Sequence, residues 1–176
     1  MASEIGVNTI QHTSGTNALT IDSSGNLAAP GNLAVTGRVT QAALPAACFH
    51  YQGSDIVGSN SVIALNTQSV LQGGMTKTAN NRIVVPIAGL YKIGFYHLAN
   101  STGQHTVMLI RVNGAHNAGG LSHSNAIQHR AAHSNNSFAY QTIASLAAND
   151  EIDFVVSSGT IHGNADYNSM FVYLLG

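Results

Sequence analysis

The stretch that decides the fold is RIVVPIAGLY, residues 82–91. A short apolar run at residues 83–85 is followed by Pro86 and Gly89, and an aromatic segment comes next. Proline and glycine are the strongest local breakers of regular structure, so this order predicts a strand, a tight turn and a second strand. A second apolar run, FVYLL at residues 171–175, predicts another strand directly before the end of the sequence.

The strand after this turn is apolar on both faces. Alternate side chains of a strand point to opposite sides of a sheet. One side carries Tyr91, Ile93, Phe95 and His97, and the other carries Leu90, Lys92, Gly94, Tyr96 and Leu98. Because such a strand is covered on both sides, we expect one face to meet the domain's own core and the other to meet a neighbouring subunit.

Alternation and turn signals extend this β pattern to the rest of the region. Asn113-Gly114 predicts a two-residue hairpin turn, because both central positions of a type I′ turn need positive φ. A second short turn is predicted at Asn149-Asp150. No segment predicts a helix, so the expected fold class is all-β. Further strands are predicted at residues 48–51, 62–71, 82–86, 106–112, 138–146, 152–156 and 170–175.

The first 45 residues differ in character from the rest, and residues 21–39 carry a six-residue repeat. Gly25-Asn26-Leu27, Gly31-Asn32-Leu33 and Gly37-Arg38-Val39 recur in phase. Regular glycine supplies the positive φ of a recurring turn, and one apolar residue per repeat indicates a shared interior. Three repeats on one chain bury too little apolar surface to be stable alone. Three chains packed around a common axis would bury more, so the repeat favours a trimeric shaft. The alternative is a flexible linker that orders on a partner. The predicted shaft residues are Ile21, Leu27, Leu33 and Val39.

Composition argues against several classes of function. Only 7% of the residues are Asp, Glu, Lys or Arg, and the formal net charge is −1. The six basic residues are scattered, which argues against nucleic acid or anionic lipid as a partner. No apolar run reaches the roughly 18 residues of a membrane span, and the N-terminus lacks the features of a signal peptide. Cys48, the one cysteine, lies among apolar residues and predicts a buried, unreactive thiol.

The C-terminal region resembles the globular head of the C1q and tumour-necrosis-factor superfamily. The resemblance rests on the apolar strand that turns at Pro-x-x-Gly into an aromatic strand, on the strand that starts near Asn149-Asp150-Glu151 after a short turn, and on the terminal apolar strand. It implies a jelly-roll sandwich that assembles as a homotrimer. We assign this head to residues 46–176, and an N-terminal attachment arm and shaft to residues 1–45. The residues predicted at the trimer interface are Tyr91, Phe95, Tyr96, Phe171 and Tyr173.

The shaft itself resembles segments of bacteriophage tail fibres and related virion spikes. This second resemblance covers residues 17–37 and is carried by the repeated Gly-Asn-Leu. It implies a location on a virion, with the N-terminal arm bound to other virion proteins. Pro45 predicts the end of the shaft, because proline interrupts the preceding pattern.

The resemblance to the C1q and tumour-necrosis-factor head implies that three longer loops lie at one end. These apical loops are residues 99–104, 122–136 and 157–168, opposite the two short turns. Loops on a rigid scaffold are where binding concentrates, and amides, imidazoles and a tyrosine suit the hydroxyl groups of a surface glycan. The alternative is that these polar residues only solubilise the loops. The predicted receptor-binding residues are His123, Asn125, His129, Arg130, His133, Asn135, His162, Asn164, Asp166 and Tyr167.

No cofactor and no catalysis are expected. Three-fold symmetry would triple each histidine, so an axial transition-metal ion is an alternative, although the sequence has no His-x-His pair and no cysteine cluster. The acidic residues of the head form no clustered pair for glycan hydrolysis, and no Gly-x-Ser-x-Gly motif occurs.

Three functions remain open. The first is a trimeric virion fibre whose head recognises a host-surface glycan or protein. The second is a capsid decoration protein that stabilises the particle without binding a receptor. The third is a secreted C1q-like lectin, which the absence of a signal peptide disfavours.

Overall fold

The computed structural model describes residues 8–11, 15, 17–25, 27–29, 44–58, 60–100, 105–115, 126–130 and 137–175. The chain divides into two compact units, Met1–Thr40 and Gln41–Gly176. The predicted boundary after residue 45 falls a few residues inside the second unit. In the part of the chain that the structure describes, no helix could serve as a membrane span.

The first unit contains a small antiparallel sheet. Its strands are β1 (Thr9–Gln11), β2 (Asn17–Ile21) and β3 (Leu27–Ala28). The turn between β2 and β3 is closed by Asp22, whose side chain accepts from the Ser24 N–H at 2.8 Å and whose carbonyl accepts from the Gly25 N–H at 2.9 Å. The first repeat therefore lies in an antiparallel hairpin of β2 and β3.

The predicted shaft residues are only partly described. Ile21 lies directly opposite Leu27 in the β2–β3 register. Their side chains are 36% and 60% exposed, which leaves apolar surface uncovered on a single chain. Leu33 and Val39 lie outside the described residues. A shared interior between three chains stays a prediction.

The second unit is a sandwich of two antiparallel sheets, which confirms the all-β class. In chain order its strands are β4 (Ala46–His50), β5 (Ile56–Val57), β6 (Ser61–Val62), β7 (Thr67–Gln72), β8 (Thr76–Lys77), β9 (Ile83–Val84), β10 (Gly89–Leu98), β11 (His105–Val112), β12 (Ala126–Arg130), β13 (Ser137–Leu146), β14 (Glu151–Ser158), β15 (Thr160–Ile161) and β16 (Asn168–Leu174). The five-stranded sheet has the order β13-β10-β16-β4-β7. The six-stranded sheet has the order β12-β11-β14-β9-β8, and β6 pairs with β14.

The core lies between these two sheets and is rich in aromatic side chains. Phe95 meets Phe138 with ring centroids 6.0 Å apart and Phe154 with centroids 6.4 Å apart, both edge to face. Burying each such ring contributes roughly 1.5–3 kcal/mol. Other core residues include Phe49, Ile63, Ile93, Met108, Ile110, Ile152, Val156, Met170 and Val172.

Two predicted interface residues belong to this core. Tyr91 and Phe95 are 0% and 1% exposed, and the Tyr91 hydroxyl donates to the Ile87 carbonyl at 2.8 Å. Their prediction as subunit contacts is therefore wrong, because their side chains point between the sheets. Alternation along β10 divides the strand into two faces, but it does not tell which of them is inside.

The predicted strand at residues 62–71 is broken in the middle. β6 belongs to the six-stranded sheet and β7 to the five-stranded sheet. Between them Ile63 and Leu65 fill the core, both at most 1% exposed. The amide of Asn66 bonds the backbone N–H and carbonyl of Gln52, which satisfies polar groups at the crossing.

The two short turns meet at one end of the sandwich. Asn113 and Gly114 have φ values of +53° and +78°, which confirms the predicted type of turn. The side chain of Asn113 donates to Asp150 at 2.8 Å and accepts from the Glu151 N–H at 2.9 Å. We call this end the base.

The charges near the base are paired internally. Asp153 has a side chain only 1% exposed, and it accepts two bonds from the Arg111 guanidinium at 2.7 and 2.9 Å. Arg82 adds an ion pair with Asp153 at 3.2 Å and another with Glu151 at 2.7 Å. A buried carboxylate needs such partners, because an unpaired buried charge is strongly destabilising.

Candidate functional site

The end opposite the base, the apical end, is built by two loops that bond to each other. β15 pairs with β5, and the Gly53 N–H donates to the Gly163 carbonyl at 2.7 Å. A Cβ at Gly163 would lie 2.2 Å from the Gly53 carbonyl oxygen, so only glycine permits this approach. The loop after β15 is thereby fixed against the loop after β4.

Four side chains meet on this surface, and we call them the apical cluster: Asp55, Asn100, His162 and Tyr167. One oxygen of Asp55 accepts from the Gly163 N–H at 2.9 Å and lies 3.6 Å from the His162 Nδ1. The Asn100 amide donates to the other carboxylate oxygen. His162 meets Tyr167 edge to face with ring centroids 5.6 Å apart.

The carboxylate of the apical cluster is stabilised in its ionised form. The hydrogen bond from Gly163 lowers the pKa of Asp55 more than partial burial raises it, and Asn100 and His162 lower it further. The Asp55 side chain is 41% exposed and Tyr167 is 43% exposed. The accessible carboxylate can accept hydrogen bonds from a hydroxyl-rich ligand, and the imidazole and phenol beside it can donate them.

The predicted receptor-binding residues after β14 reach this surface with different roles. His162 and Tyr167 join the apical cluster, and Asp166 is exposed next to them. Asn164 instead caps the short 3₁₀ turn at Ala165–Tyr167, since its side chain accepts from the Asp166 N–H at 3.0 Å. Asp55 and Asn100 were not among the predicted receptor-binding residues, although Asn100 stands in the predicted apical loop 99–104.

The middle predicted loop contains a strand. The prediction that His129 and Arg130 lie in a loop is wrong, because β12 pairs His129 with Thr106 and Arg130 with His105. This pairing satisfies the backbone groups along one edge of β11, which would otherwise be open. The other predicted residues of this loop, His123, Asn125, His133 and Asn135, lie outside the described residues.

No metal site is found at the described part of this end. Among the described residues of the whole chain, no group of three or more His, Cys, Asp or Glu side chains is placed to hold an ion.

Exposed apolar side chains gather on the side of the five-stranded sheet that faces away from the core, which we call the outer face. Leu90, Ile143 and Leu175 are 50%, 58% and 48% exposed, and Tyr96 is 39% exposed. They come from adjacent strands, since Lys92 of β10 lies opposite Ile143 of β13 and Tyr173 of β16. The outer face is therefore a contiguous apolar surface.

Aromatic rings form the centre of the outer face. A Cβ at Gly94 would lie 2.4 Å from the Phe171 ring, so the missing side chain lets this ring cross β10. Phe171 stacks on Tyr173 with centroids 5.9 Å apart, and the Lys92 ammonium lies 5.8 Å from the Tyr173 centroid. Beside them runs an open groove of about 540 Å³, lined by Lys92, Gln141, Thr142, Ile143, Tyr173 and Leu175.

The predicted interface residues Tyr96, Phe171 and Tyr173 thus lie on the outer face, and their contact with another subunit stays a prediction. Cys48 lies opposite Phe171 in the β4–β16 register. It is half-buried rather than fully buried, and this burial raises the pKa of its thiol.

A third arrangement lies at the edge of the five-stranded sheet. The His50 Nε2 is 2.7 Å from the Ser69 hydroxyl oxygen, and its Nδ1 is 2.6 Å from the Asn168 carbonyl oxygen. A carbonyl can only accept, so in the neutral imidazole Nδ1 donates to it and Nε2 is left to accept from the Ser69 hydroxyl. No sequence motif indicates this pair, because His50 and Ser69 are brought together by strand pairing and not by their spacing along the chain.

Comparisons with known proteins support the fold. No protein-family model matches the chain, and no curated protein matches it. The second unit's sandwich is of the type seen in a solved structure of Eiger TNF from S. frugiperda, which the chain matches with a TM-score of 0.51 and 13% identity. The match covers 76% of this chain and 94% of that one. At this identity the likeness concerns the fold alone, and it identifies the sandwich as a TNF-like jelly roll.

Proposed function

We propose that this protein is a homotrimeric virion fibre whose head binds a receptor on the host surface. The heads associate through the outer face. The N-terminal arm attaches to other virion proteins. The apical cluster, repeated three times around the axis, contacts a host-surface glycan or protein.

The observation that carries the proposal is the outer face. Single exposed apolar residues are normal on a protein surface, whereas a contiguous apolar patch indicates an interface. Leu90, Tyr96, Ile143 and Leu175 are each 39–58% exposed on this one surface. Covering the exposed half of such a side chain contributes about 1 kcal/mol. A second and a third copy of the chain would cover it, as the resemblance to the C1q and tumour-necrosis-factor head implies.

The apical cluster supports receptor binding by its chemistry. It offers two acceptor oxygens on Asp55, donors on Asn100 and His162, and an exposed ring on Tyr167. Bonded loops fix these groups, so little conformational entropy is lost when a ligand binds. Such a set suits hydroxyl groups better than a charged or wholly apolar ligand.

The trimer is tested by light scattering on purified variants. Ile143→Lys and Tyr96→Asp each yield a folded monomer, because a charge on the outer face opposes its burial. Val57→Lys is the matched control, since Val57 is 68% exposed but lies on β5, away from the outer face. A wild-type monomer, or a Tyr96→Asp variant with unchanged mass, would contradict the proposed association.

Receptor binding is tested with a defined panel of bacterial surface polysaccharides. The double variant His162→Ala/Tyr167→Ala keeps the wild-type oligomeric state and loses at least tenfold in affinity, whereas Thr76→Ala on the far strand β8 binds like the wild type. If the purified protein bound no polysaccharide and bound only particles from which this protein had been removed, the result would favour a capsid decoration protein. Equal polysaccharide binding by both variants would remove the apical cluster from the receptor site.

A further inference from the structure

We infer that Ser69 is a nucleophile activated by His50, and that the pair transfers short acyl groups from esters. An activated serine needs a general base within about 2.6–3.2 Å and a third group that orients this base. The structure has both, with the His50 Nε2 at 2.7 Å from Ser69 and the Nδ1 at 2.6 Å from the Asn168 carbonyl. This departs from the expectation of no catalysis, which rested on sequence motifs.

The orienting carbonyl is itself held firmly. Asn168 is only 2% exposed, and its side chain accepts from the Tyr51 N–H at 2.6 Å. The same amide donates to the Tyr51 carbonyl at 2.9 Å and to the Asn164 carbonyl at 2.7 Å. Two of these bonds fix the first residue of β16 against Tyr51, directly after β4, and the third fixes it to the preceding loop. His50 is thereby held in the tautomer that can take a proton from Ser69.

The position of Ser69 favours attack on an external substrate. β7 is the edge strand of the five-stranded sheet, and Ser69 is exposed on it. The β4–β7 register places Val70 opposite Cys48 and Gln68 opposite Phe49, so Ser69 is the extra residue of a β-bulge. Bulges re-aim a side chain out of the regular ladder. The open edge suits a short acyl ester and does not enclose a long chain.

The reaction balances without any cofactor. The Ser69 oxygen bonds the ester carbonyl carbon while its proton moves to the His50 Nε2. The bond from this carbon to the leaving oxygen then breaks, and the leaving alkoxide takes the proton from His50. Water attacks the acyl-serine next, passing a proton to His50 that returns to the Ser69 oxygen. The products are a carboxylic acid and an alcohol. A carbonyl does not neutralise the imidazolium as an aspartate does, so activated esters react best.

The experiment uses a fluorophosphonate probe and p-nitrophenyl acetate on the full-length protein. The probe forms an Oγ–P bond as fluoride leaves, and peptide mapping places the added mass on Ser69. The wild type hydrolyses the ester about 10²–10⁴-fold faster than Ser69→Ala or His50→Gln, the range for general-base catalysis. Ser145→Ala, an exposed serine of β13, is the matched control and retains full activity.

Three results would overturn the inference: no labelling of the wild type, labelling spread over several serines, or a Ser69→Ala rate equal to that of the wild type. If His50→Gln fails to fold, the rate of Ser69→Ala and the position of the labelled serine still test the inference. Ser69 is exposed and contributes little to the core, so Ser69→Ala should fold.

Discussion

Acidification should destabilise this protein through His97, a histidine buried in the core. His97 is 0% exposed and lies between aromatic rings, 5.7 Å from the Phe95 centroid and 6.1 Å from the Phe138 centroid. Neither of its ring nitrogens has a hydrogen-bond partner among the described residues. Burial without a partner disfavours the charged form and lowers the pKa of His97 from 6.5 to about 3.

The direction and size of the effect follow from proton linkage. Between pH 6.5 and about 3 the unfolded chain carries a proton on this histidine and the folded chain does not. The free energy of unfolding therefore falls as the pH falls through this window. Each pH unit well inside it corresponds to about 1.4 kcal/mol. From pH 7 to pH 4.5 we expect His97 to remove about 2.5 kcal/mol.

The assay is urea unfolding at fixed protein concentration and several pH values, with His97→Phe compared with the wild type. The variant removes two unsatisfied nitrogens, so we expect it to be about 1 kcal/mol more stable at pH 7. Its advantage should grow to about 3.5 kcal/mol at pH 4.5. His97→Leu repeats the test should phenylalanine overpack the site. His162→Gln serves as control, since the side chain of His162 is 21% exposed and lies outside the core. A constant difference between variant and wild type across the pH range would refute the reasoning.

Two further substitutions probe packing and charge. Gly94→Ala should lower the free energy of unfolding by about 1–3 kcal/mol. The new Cβ would lie 2.4 Å from the Phe171 ring and 2.6 Å from the Tyr140 carbonyl oxygen. An unchanged free energy in urea unfolding would contradict this packing. Arg111→Ala should lower it by about 3 kcal/mol, since Asp153 keeps only Arg82 at 3.2 Å. The double variant Arg111→Ala/Asp153→Ala should recover part of this loss, and a double-variant loss equal to the sum of the single losses would count against the pairing.

Most of the sheet architecture could be predicted from sequence, because alternation and turn chemistry are local signals. The strands near residues 106–112, 138–146 and 152–156 appear within two residues of their predicted ends. Asn113-Gly114 forms the expected turn, since positive φ at two successive positions restricts the residue types. The break at Asn66 was not predictable, because it depends on a hydrogen bond to Gln52 from a distant loop.

The assignment of faces was harder than the assignment of strands. Tyr91 and Tyr96 belong to the same strand and are both aromatic, yet one is fully buried and the other is 39% exposed. Alternation separates them, but only the partner strands decide which side is covered. Gly94 was the available clue, because a glycine inside a strand indicates a close approach by another group, here the Phe171 ring.

The candidate sites also depend on strand pairing, because each consists of residues from different strands and loops that are distant in sequence. Asp55 and His162 meet because β5 pairs with β15, and Ser69 meets His50 because β7 pairs with β4 around a bulge. Local sequence carries no trace of either contact. The ionic groups near the base pair among themselves, whereas the apical end presents polar hydrogen-bonding groups with the Asp55 carboxylate, and the outer face presents mainly apolar side chains. Substitutions at the apical cluster and at Gly94 share no contacts and should therefore change stability additively.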